Sequence, residues 1–87
     1  MRHDHEALLR RIYALDLDSD PRWRESPDLY PLADECADYL TALTLDNYDL
    51  EEALFAWATL CNVTEQTKQD AARLVLRCAA RILRGGV

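Results

Sequence analysis

Four arginines near the end of the sequence are the residues best spaced to act together. Arg73, Arg77 and Arg81 recur every fourth residue, and Arg84 follows three later. On a helix, neighbours three and four apart share a face, so all four guanidinium groups line one side. Such a row can hold carboxylates or phosphates. The plain reading is the solvated edge of an otherwise buried helix, partly paired with acids of another helix. Two functional readings stand beside it. One is an edge for a protein partner, since arginine is favoured at interface hot spots. The other is a track for a nucleic-acid backbone, which the surrounding acids would repel.

The acids form the second constellation. Residues 16–52 hold twelve Asp and Glu against two arginines, a net of −10, whereas residues 68–84 hold five bases and one acid, a net of +4. The chain is therefore polarised along its length, with −6 in total. That balance disfavours nonspecific attraction to nucleic acid or to an anionic membrane, and it suits a basic protein partner. Asp34, Glu35 and Asp38 carry this expectation, because they fall off the apolar stripe of their helix. Spaced carboxylates on rigid helices can match a basic surface. The plain alternative is ordinary solubilising charge.

Smaller signals fare less well. Asp16-Leu17-Asp18-Ser19-Asp20 begins like a calcium loop, with acids at its first, third and fifth positions. Pro21 then stands where the sharp turn needs glycine, and Pro27 where a glutamate should close the shell, so the segment reads as a turn. Arg22-Trp23-Arg24 places an aromatic between two cations. Trp23 either anchors a partner or folds back to cap the core, as loop tryptophans of small domains commonly do. His3 and His5 point to different helix faces and do not chelate as an i, i+4 pair would. Cys36, Cys61 and Cys78 fit neither a disulfide framework nor a zinc site, and are expected as reduced, mostly buried thiols. There is no phosphate-binding glycine loop and no nucleophile elbow, so neither an enzyme nor a cofactor or metal is expected.

The elements that must position these groups are helical. With only two glycines and three prolines the chain is poor in turn formers. Its 87 residues suit one domain, 1–87. A first helix over 4–15, capped by Asp4, sets Leu8, Ile12 and Leu15 on one face. Residues 16–30 read as the longest loop. A second helix starts near Pro31, with Leu32, Cys36, Tyr39, Leu40 and Leu43 as its stripe. A third opens at a capping box, Asp49 with Glu52, and buries Leu50, Ala53, Leu54, Trp57, Leu60 and Cys61 while Phe55 points away. A fourth opens at Asn62 with Glu65 and stops at Gly85-Gly86. Apolar residues, Leu74, Leu76, Ala80 and Leu83 among them, occupy most of its circumference. It is expected either at the centre of the bundle or partly covered by another chain.

The sequence therefore predicts an all-α bundle of about four helices with the last one central. The favoured function is a non-catalytic protein-binding module of adaptor, inhibitor or immunity type, meeting a basic partner through Asp34, Glu35, Asp38 and Trp23. A nucleic-acid-associated protein acting through Arg73, Arg77, Arg81 and Arg84 is the second expectation. A homodimer or subunit of a larger complex, with the fourth helix at the seam, is the third. No run is long and apolar enough for a bilayer and no signal-peptide core follows Met1, so the expected compartment is the cytoplasm.

Overall fold

Apolar residues three and four apart can leave water together only if the chain coils, and this periodicity sets four helices in the computed structural model, which describes residues 5–19, 22–43, 48–59 and 63–85. Helix α1 spans His5–Leu15 and buries Leu8, Ile12 and Leu15, the expected stripe. The proposed cap, Asp4, lies outside the described residues. The helix ends at Asp16, whose φ of 54° takes the left-handed position usually held by glycine. Aspartate tolerates that conformation better than most side chains. The Asp16 N–H donates to the Tyr13 carbonyl at 3.1 Å, and Ser19 N–H then donates to the Asp16 carbonyl at 2.9 Å.

The expected loop 16–30 contains a single 3₁₀ turn, Arg22–Glu25. Helix α2, Leu29–Leu43, starts two residues before Pro31. Its first i→i−4 bond runs from Leu32 N–H to the Asp28 carbonyl, at 2.9 Å. Pro31 thus still falls among the first-turn nitrogens that need no partner within the helix. Leu32, Cys36, Tyr39 and Leu40 are buried as expected, joined by Leu29 and Ala33, and Leu43 is half-buried.

Helix α3, Tyr48–Ala58, buries Leu50 and Ala53 and leaves Phe55 70% exposed. The expected cap, Asp49, falls inside the helix, and Leu60 and Cys61 lie outside the described residues. Helix α4, Glu65–Leu83, is capped by Thr64, whose Oγ1 accepts from the Thr67 N–H at 3.2 Å. Thr64 stands next to the first helical residue and takes the role assigned to Asn62, which lies outside the described residues. The stop is as expected: Gly85 has φ 86° and its N–H donates to the Ile82 carbonyl at 2.9 Å.

Helix α4 touches α1, α2 and α3 and is the spine of the bundle. Ala72, Val75, Leu76 and Ala79 are each 0% exposed, and the alanines let neighbouring helices approach closely. Leu76 and Ala80 are covered from within the chain and Leu83 is half-buried, while Leu74 stays 50% exposed. The radius of gyration, 12.2 Å, is close to the value of about 12 Å for a compact chain of this length. Among the described residues there is no strand, and no helix is long and apolar enough to cross a membrane.

Candidate functional site

The arginine strip divides into a structural half and an open half. Arg73 is half-buried, with its guanidinium 5.3 Å from the centroid of the Trp23 ring, and Arg24 approaches the same ring at 4.3 Å. Trp23 itself is 0% exposed and belongs to the core. The partner-anchoring role is thereby closed to it, because its ring has no free surface. Around it the 3₁₀ turn is clamped to α4: Arg24 pairs with Asp70 at 2.9 Å, and Gln69 Nε2 donates to the Arg24 carbonyl at 3.3 Å. The Trp23 indole N–H is buried without a hydrogen-bond partner among the described residues. Further along α4, Arg77 pairs with Asp18 at 2.7 Å, which turns the middle of the calcium-like segment toward a cation of the chain itself. Arg81 and Arg84 have no ion-pair partner among the described residues.

These last arginines face a half-open groove of about 640 Å³. Its floor is the exposed strip of α4, its walls the end of α1 with the 16–18 turn and the start of α3. Ile12, Leu17, Leu74 and Cys78 give it apolar surface, and Asp16, Asp18 and Glu52 stand on the walls. Tyr13 and Leu74, 54% and 50% exposed, form apolar shoulders. The positive φ at Asp16 shapes this wall, since it turns the chain off α1 and brings Asp18 to Arg77.

A second surface lies on α2 and α3. Residues 25–67 contain ten Asp and Glu and no Lys, Arg or His. Asp34, Glu35 and Asp38 are all exposed. Glu35 pairs with Arg11, which also pairs with Asp28 at 2.8 Å and so ties α1 to α2. The hydrogen bonds to Asp28, and then to Glu35, hold the Arg11 guanidinium still further above its ordinary pKa. Asp34 accepts from the Trp57 indole N–H at 3.0 Å. Trp57, expected in the core, is only half-buried and keeps its polar edge at the surface. It lies 6.2 Å from the Tyr30 ring, over which Lys68 sits at 4.4 Å, and the Tyr30 hydroxyl donates to Glu65 at 2.6 Å. Burial, and secondarily this bond to Glu65, pushes the Tyr30 hydroxyl up to about 12.

Tyr30 and Trp57 were not among the site residues drawn from sequence. The readable signal was the spacing of Asp34 from the apolar stripe, but the pairing of Asp34 with Trp57 depends on how α2 packs on α3. His5 makes an edge contact with Tyr39, ring centroids 4.9 Å apart, and His3 and Cys61 lie outside the described residues. Cys36 and Cys78 are buried free thiols, and burial pushes the Cys36 thiol up to about 12. No protein-family model matches the chain, and no curated protein or solved structure matches it.

Proposed function

We propose that this chain is a non-catalytic protein-binding module whose partner presents a basic surface to the outer side of α2 and the adjoining end of α3. The observation that carries the reading is the long stretch with ten acids and no base, folded so that Asp34 stands exposed against the half-buried Trp57, with Asp38 exposed one turn further along α2. An aromatic ring with one apolar face and one polar edge, rimmed by carboxylates, suits a lysine or arginine side chain by charge and by cation–π contact. Field complementarity of this kind chiefly raises the rate of encounter. We place the module in the cytoplasm, where thiols such as Cys36 and Cys78 stay reduced.

The test is capture of bound protein on the immobilised chain from its own cells, at low and raised salt, compared with Asp34→Asn/Asp38→Asn and Trp57→Ala. Bound basic protein should be released by salt and reduced by both variants. Recovery indifferent to salt and to the variants would end this reading.

The nucleic-acid reading retains two of its four guanidiniums without an ion-pair partner among the described residues, Arg81 and Arg84, because Arg73 lies over the Trp23 ring and Arg77 pairs with Asp18. A low-salt anisotropy titration with duplex and single-stranded probes decides it, since electrostatic binding is strongest there.

A further inference from the structure

The outer face of α3 is a ridge bearing acid and one large apolar side chain. Glu51 and Glu52 are exposed, with no ion-pair partner among the described residues. Phe55 follows at four and three residues from them, which sets the three on neighbouring positions of the helix surface. At 70% it is the most exposed large hydrophobic residue among the described residues. Immediately beside this ridge runs the α4 groove, and Glu52 belongs to both. The groove offers what the ridge lacks: the guanidiniums of Arg81 and Arg84, unpaired among the described residues, and the apolar shoulders Tyr13 and Leu74.

In this groove Arg77 is paired with Asp18, and Arg81 and Arg84 have no ion-pair partner among the described residues, with Asp16 and Glu52 also on the lining. The match of ridge to groove is therefore local, Glu51 and Glu52 to Arg81 and Arg84, and Phe55 to Tyr13 and Leu74. Under a two-fold rotation each ridge would meet the other copy's groove, and such a contact closes on itself rather than propagating. The buried side of α4 is not part of this seam, because Leu76, 0% exposed, is already covered by its own chain. We propose that two copies of this chain form a closed dimer, α3 of each lying in the α1–α3–α4 groove of the other. Phe55 then packs on the apolar shoulders, and Glu51 and Glu52 fall among Arg81 and Arg84. This leaves Asp34, Asp38 and Trp57 open on both copies.

Sedimentation velocity on the full chain, from micromolar to millimolar, tests the proposal, with circular dichroism confirming that each variant is folded. The wild-type mass should rise from 10.0 kDa toward twice that value and stop there. Phe55→Asp should raise the dimer dissociation constant by at least about tenfold. Arg81→Glu/Arg84→Glu and Glu51→Arg/Glu52→Arg should each be monomeric alone, since like charges then meet. Mixed in equal amounts they should pair, because every ridge again finds a groove of opposite sign. A wild type that stays monomeric, a dimer that survives these substitutions, a mixture that fails to pair, or a mass that grows beyond two copies would each overturn the proposal.

Discussion

Replacing Trp23 by alanine separates a core role from a surface one, and the structure sets the size of the effect. The ring is 0% exposed and packs between the 3₁₀ turn and α4. Truncating a buried aromatic to alanine costs about 3–5 kcal/mol. The Trp23 indole N–H has no hydrogen-bond partner among the described residues, and removing an unsatisfied buried donor returns about 1–3 kcal/mol, so the net loss should be about 2 kcal/mol. A chain of this length has about 4–13 kcal/mol of stability in total. With a urea dependence of about 1 kcal/mol per molar, the midpoint should drop by about 2 M. Trp23→Phe removes the same orphan donor and leaves a much smaller void, so its net effect should stay within about 1 kcal/mol. The assay is urea unfolding followed by circular dichroism and by fluorescence in a Trp57→Phe background, where only Trp23 emits. A Trp23→Ala midpoint close to wild type, or Trp23 emission characteristic of water, would refute the reasoning.

Other expectations follow from local geometry. Thr64→Ala removes the α4 cap and should cost about 1 kcal/mol, with faster amide exchange confined to the first turn of α4, whereas Thr64→Asp should retain most of the stability. At Asp16, where φ is 54°, Asp16→Gly should change stability by less than about 1 kcal/mol while Asp16→Val should lose about 1–2 kcal/mol in thermal unfolding. The Cys36 thiol should resist alkylation at pH 8 until the chain unfolds, as read by mass spectrometry. Stability should also fall as pH rises from about 9 toward 12. Over that window the unfolded chain sheds protons that folded Cys36 and Tyr30, both pushed up to about 12, still hold.

The helices were legible in the sequence because their information is local. Leu8, Ile12 and Leu15 on α1, and Leu32, Cys36, Tyr39 and Leu40 on α2, announce their face by spacing alone, and all are buried. The central place of α4 was legible for the same reason, since so many of its positions are apolar. The start of α2 was misplaced because a proline in the first turn is compatible with several starting residues. Of the two readings of Trp23 the core one holds, whereas Trp57, expected in the core, kept an edge in water. Neither outcome is written in nearest neighbours. Trp23 is held against residues of α4, and Trp57 is turned outward by Asp34 of another helix. The groove was invisible for a similar reason, being assembled from α1, α3 and α4, which become adjacent only on folding.

The order of synthesis gives the spine one more consequence. Helix α4 is translated after the three helices it joins, so their apolar faces lack their main scaffold while the ribosome is still adding residues 65–83. Until that stretch clears the exit tunnel, much of the apolar surface of α1, α2 and α3 stays uncovered, and consolidation of the native state awaits the arrival of the last described helix.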